Sequence, residues 1–85
     1  MLDKQSLQEV TRYFDTMIEQ QQAKVLRLAR ELNPRLTSED LLNPHNHPEL
    51  VASQDFNFED GLLAGLISAQ MALRARFALP ESEKS

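Results

Sequence analysis

The chain has 85 residues, a formal net charge of −4 and no cysteine. That length allows one domain with little interior per residue, and the lack of thiols excludes disulfides and an all-thiolate zinc site as its reinforcement. The acidic balance, without a basic stripe, argues against nucleic acid, which is held by neutralising phosphates with Lys and Arg, and against anionic membranes.

The N-terminus, Met1-Leu2-Asp3-Lys4-Gln5-Ser6, has no basic region leading into an apolar one, so no signal peptide is expected. The most apolar run, Gly61 to Leu73, is too short to span a bilayer and is interrupted by Gln70. A soluble, cytoplasmic, all-α protein is the expectation.

The first predicted helix runs from about Asp3 to Leu32. It contains no Gly or Pro and is rich in Gln, Glu, Leu, Lys and Arg, all good helix formers. Leu7, Val10, Phe14, Met17, Ile18, Val25, Leu28 and Leu32 recur at helical spacing. Gln21 interrupts the stripe as a polar layer, and facing its counterpart in a second chain it would fix register. The neighbouring run Glu19-Gln20-Gln21-Gln22 is too short for a low-complexity tract. Asp3 or Ser6 is the expected N-cap, Ser6 and Glu9 having capping-box spacing. Asn33-Pro34 ends the helix, because the residue before proline avoids the α region.

A connection from Asn33 to Asn57 follows, with Pro34, Pro44 and Pro48. So long a link without structure is unusual in a compact domain, so short helical turns are expected. One begins at Thr37-Ser38-Glu39-Asp40 and ends by Asn43-Pro44; another is Pro48-Glu49-Leu50-Val51. Leu36, Leu41, Leu42, Leu50, Val51 and Phe56 would pin the segment to the helices.

The last predicted helix spans about Phe58 to Phe77 or Ala78, with Asn57 as N-cap and Glu59 and Asp60 favoured in its first turn. Pro80 stops it, which makes residues 1–79 one helical domain and residues 80–85 a disordered tail. Its faces are unlike. Leu62, Leu63, Leu66, Ile67, Leu73 and Phe77 lie on one broad side, and Gly61, Ala64, Gly65, Ser68, Ala69, Ala72 and Ala75 on the other. Two glycines inside a helix cost roughly 1 kcal/mol each relative to Ala. The spacing therefore predicts a helix–helix contact that needs the room, by small-xxx-small geometry.

The first helix, at about 45 Å, is longer than the last, at about 30 Å. A hairpin of the two would leave Leu7, Val10 and Phe14 uncovered, a patch that marks an interaction surface. A two-fold homodimer would cover both this overhang and the small face, giving a four-helix arrangement.

Signals for chemistry are sparse. His45 and His47 in Pro44-His45-Asn46-His47-Pro48 form a weak candidate metal pair, which Glu49, Asp55 or Asp60 would have to complete; a polar, proline-bounded turn explains them as well. Glu59-Asp60 is accounted for by the helix dipole rather than by acid–base work. Gly61 and Gly65 lack the phosphate-loop pattern, and the serines lack a nucleophile motif. No catalytic residue and no cofactor are expected.

Between Thr37 and Asp60 there are Glu39, Asp40, Glu49, Asp55, Glu59 and Asp60 and no Lys or Arg, whereas Lys24, Arg27, Arg30 and Arg35 cluster upstream. The acidic connection is expected to fold over the basic end of the first helix; otherwise it would steer a basic protein partner. The leading expectation is a non-enzymatic, homodimeric interaction module, a scaffold, adaptor or small chaperone, open to a further protein partner. The alternatives are a metal- or small-ligand-binding regulatory protein using His45 and His47, and a subunit of a larger enzyme or secretion complex.

Overall fold

A computed structural model describes residues 3–77. The chain is all helical there: α1 (Lys4–Leu32), 3₁₀ turns at Asp40–Leu42 and Pro44–Asn46, α2 (Pro48–Val51) and α3 (Gln54–Phe77). The expected tail and Ala78 lie outside the described residues.

Local chemistry sets the helix ends. Asp3 is extended and its carboxylate accepts the Ser6 N–H at 2.7 Å, capping α1. That hydrogen bond holds the Asp3 carboxyl below its ordinary value. At the other end Asn33 leaves the helix with φ −152° and ψ 101°, the extended geometry that Pro34 imposes on its neighbour. The Asn33 side chain then holds the turn: its Oδ1 accepts the Arg35 N–H at 3.1 Å and its Nδ2 donates to Glu49 Oε2 at 3.0 Å.

The connection is ordered by short-range bonds. The Thr37 N–H and hydroxyl donate to Asp40 Oδ2 at 2.8 and 3.1 Å, tying the first turn. Arg30 Nε donates to the Leu36 carbonyl at 2.9 Å, anchoring the connection to α1. Leu36, Leu50 and Phe56 are buried with Val25 and Ala29, and Leu41 and Leu63 pack against them. This cluster is the core, and it sits at the connection end of the hairpin. Leu42 and Val51 do not pin the segment, because both are exposed.

α3 begins earlier than the sequence suggests. Ser53 Oγ accepts the Phe56 N–H at 3.1 Å, so Ser53 and not Asn57 occupies the N-cap position. Asn57 lies within α3, and its Nδ2 turns back to the carbonyls of Leu50, Val51 and Ser53. It thus satisfies the Val51 carbonyl, which α2 leaves open at its C-terminal end, and adds a second donor to Leu50 and Ser53, whose carbonyls already accept the Ser53 and Asn57 N–H groups.

α1 and α3 run antiparallel, as polar contacts near both ends of the pair show. Gln21 Nε2 donates to the carbonyl and to Oε1 of Glu59, at 2.9 and 2.8 Å. Gln70 Nε2 donates to the Thr11 carbonyl and to Asp15 Oδ1, at 3.2 and 2.7 Å. The polar layer at Gln21 is therefore satisfied within the chain rather than by a second Gln21. Gln70, which interrupts the apolar run in sequence, is buried between the helices.

The molecule measures 44 × 22 × 19 Å. A helix with its side chains is about 10–12 Å across, so the hairpin is one helix long and two helices thick. α1 and α3 pack on each other, and the connection packs on both at one end of the pair.

Candidate interaction surface

The side of α3 turned away from α1 carries the small residues. Gly61, Ala64, Gly65, Ser68, Ala69, Ala72 and Ala75 are all exposed. A Cβ added at Gly61 or Gly65 would meet no atom within 4 Å. The room these glycines leave is therefore not used by α1 or by the connection. Larger apolar side chains border the stripe: Phe58 (65 % exposed) and Leu62 on one edge, and Met71 (64 %) on the other. Leu62 is a correction, since helical spacing groups it with the residues that face α1. At 100° per residue it falls at the border of the two faces, beside Ala69.

The rest of the large side behaves as the spacing predicts. Leu63, Leu66, Ile67, Leu73 and Phe77 are half-buried against α1.

The expected overhang at the start of α1 is not an open patch. Leu7 is buried, and Val10 and Phe14 are half-buried. The pairing register accounts for this: Gln70 sits opposite Thr11 and Asp15, with seven residues of α3 still to follow. The turns beyond Gln70 therefore reach the level of Leu7.

A groove of about 490 Å³ opens beside the small face. Val25 and Leu26 of α1, Leu41 and Leu42 of the first 3₁₀ turn, and Leu63, Ala64 and Ile67 of α3 line it. Glu39 and Asp60 stand at its rim, and neither forms an ion pair among the described residues. Leu42, 78 % exposed, projects beside it.

Charge along α3 is segregated. Asp55, Glu59 and Asp60 lie toward its N-terminal end and Arg74 and Arg76 toward its C-terminal end, with no charged residue from Gly61 to Leu73. Glu59 is neutralised within the chain: Lys24 Nζ approaches Oε2 at 3.2 Å while Gln21 holds Oε1. The Gln21 hydrogen bond, with Lys24 adding to it, keeps the Glu59 carboxyl below its ordinary value. Arg74 lies 4.0 Å from Asp15. Asp55 and Arg76 have no ion-pair partner among the described residues. The acidic connection folds over the basic end of α1 only in part. Lys24 meets Glu59 and Arg30 meets a carbonyl, whereas Arg27 and Arg35 make no ion pair among the described residues.

The two histidines do not converge. His45 is exposed. His47 lies between Asp40 and Glu49, with Nε2 3.9 Å from one carboxylate and Nδ1 3.9 Å from the other. Hydrogen bonds from Thr37 hold the Asp40 carboxyl low, and the bond from Asn33 does the same for Glu49. Among the described residues no three His, Cys, Asp or Glu side chains are grouped so as to hold a metal ion, and no helix is long and apolar enough to cross a membrane.

Phe58, Met71 and Leu42 are the surface residues that sequence reasoning missed. For Phe58 and Met71 the signal was present, because 100° spacing sets them on either side of Gly65 and Ala72. For Leu42 no periodic signal exists in so short a turn. Comparison of the chain with protein-family models, with curated proteins and with solved structures gives no match.

Proposed function

We propose that this protein is a non-enzymatic helical interaction module that works as a homodimer, its pairing surface being the outward face of α3. The observation that carries the reading is that Gly61 and Gly65 leave open space that nothing in the protomer uses. A helix tolerates such residues at a cost of about 1 kcal/mol each, and close approach of a second backbone is the physical return on it. Phe58, Leu62 and Met71 around the stripe add exposed apolar surface of the kind that marks protein contacts. Pairing through this face sets two hairpins side by side, which makes a four-helix arrangement. Such a dimer serves as a scaffold, adaptor or small chaperone, leaving the acidic rim at Glu39 and Asp60 to a further, basic protein partner.

The substitution Gly65→Leu tests the surface. Within the protomer the new side chain meets open space, so the helical content and cooperative unfolding of the protomer are retained. Against a second helix it is overpacked, so association is lost. Association that survives Gly65→Leu with unchanged affinity overturns the assignment of this face.

A further inference from the structure

We propose that the two copies pair with their α3 helices antiparallel, about a two-fold axis that passes between Gly65 and Ser68, so that Asp55 of each copy meets Arg76 of the other. The inference rests on the self-association reading and adds its orientation and register.

Charge decides the orientation. Of the charged groups toward the ends of α3, Glu59 and Arg74 meet partners inside the chain, whereas Asp55 and Asp60 at one end and Arg76 at the other make no ion pair among the described residues. A parallel pair sets Asp55 against Asp55 and Arg76 against Arg76, and like charges in apposition oppose association. An antiparallel pair joins opposite signs at both ends and leaves the uncharged stretch from Gly61 to Leu73 between them. A helix that is acidic at one end and basic at the other, with Asp55 on the flank of the outward stripe and Arg76 beside it, is complementary to its own reversed copy, which is the requirement of a two-fold interface. A second copy is therefore the occupant that this face fits.

The small residues set the register. Gly61, Gly65, Ser68 and Ala72 form the middle of the outward stripe. Their midpoint lies between Gly65 and Ser68, so the two-fold places Gly61 opposite Ala72 and Gly65 opposite Ser68. In that register Asp55 falls about 3 Å along the axis from Arg76 of the second copy, within reach of its long side chain. The same rotation brings equal edges together. Met71 of the second copy then arrives at the level of Leu62, on the edge where Ala64 opens into the groove beside Leu42. Met, unbranched and adaptable, suits the closing of such a gap, and burial there accounts for two apolar side chains left in solvent by the protomer.

The chain has no cysteine, so an introduced thiol has no competitor. Under mild oxidation Ser68→Cys is expected to form a covalent dimer. Ala72→Cys alone is not, because antiparallel pairing sets its two copies about 16 Å apart, beyond the span of a disulfide. Gly61→Cys mixed with Ala72→Cys is expected to cross-link as a heterodimer. Efficient self-linking of Ala72→Cys overturns the antiparallel orientation. The solution mass of the same variants before oxidation separates the two claims: a dimer with the wrong cross-links defeats only the orientation, and a monomer defeats self-association itself. A second measurement needs no thiol. Asp55→Arg is expected to weaken association by roughly threefold to tenfold, as is Arg76→Asp, and the double variant is expected to recover wild-type affinity. Failure of the double variant to recover, with its fold intact, overturns the ion pairing.

Discussion

At the scale of single residues, α1 and α3 are aligned by two glutamines, one on each helix. Gln21 clamps Glu59 and Gln70 clamps Thr11 and Asp15. Gln70 is only 8 % exposed, so Gln70→Ala removes packing and hydrogen bonds together and should lower unfolding free energy by about 1–3 kcal/mol, read from urea midpoints. Thr11 makes the converse case. Its hydroxyl oxygen is buried with no hydrogen-bond partner, so Thr11→Val should leave stability unchanged or raise it by up to about 1 kcal/mol. The carboxylates add a pH dependence of known sign. Asp40, Glu49 and Glu59 have folded pKa values below their ordinary 3.8 and 4.5 because hydrogen bonds favour the charged form. Their stabilisation is present at neutral pH and is lost as pH falls below those values and through the depressed ones. Denaturation midpoints should accordingly fall below about pH 4.5, with a shallower fall in Glu59→Gln.

At the scale of elements, what could be read from the sequence depended on how far a signal repeats. The long stripe of α1 and the halt at Asn33-Pro34 are repeated or sterically enforced signals, and both appear in the structure. The start of α3 rests on one side chain. Ser53 and Asn57 are both good caps, and the choice was made by tertiary context: burial of Phe56 and the open Val51 carbonyl of α2 draw Asn57 away. That shift lengthened α3 at the connection end, while the register set by Gln70 opposite Thr11 and Asp15 carries its last turns to Leu7 and removes the expected overhang. The unlike faces of α3 were legible from spacing, though Leu62 at their border was not. The partner of Gln21 was not legible either, because a polar residue in a stripe does not say which chain satisfies it. Phe56→Ala tests how far the connection depends on its core. Phe56 is fully buried among Val25, Ala29, Leu36 and Leu50, so the loss should be about 3–5 kcal/mol. In a chain this small that approaches the whole stability, and loss of the cooperative thermal transition is the expected readout.

At the scale of the molecule, the core occupies one end of a hairpin two helices thick. The other end is held by the half-buried stripes of α1 and α3 and by the Gln70 contacts. An 85-residue chain without disulfides has few other means of gaining buried surface than association. The exposed face of α3 is apolar, free of charge along its middle and uncrowded at its glycines. The apolar groove beside it, which Glu39 and Asp60 also line, is continuous with it through Ala64.

The most direct test of self-association is the solution mass of the unmodified chain, measured by light scattering or sedimentation at a protomer concentration of roughly 100 µM, where a micromolar interface is nearly saturated. The predicted result is twice the 9.7 kDa of the protomer, falling toward one protomer on dilution. A mass of 9.7 kDa at that concentration would contradict it.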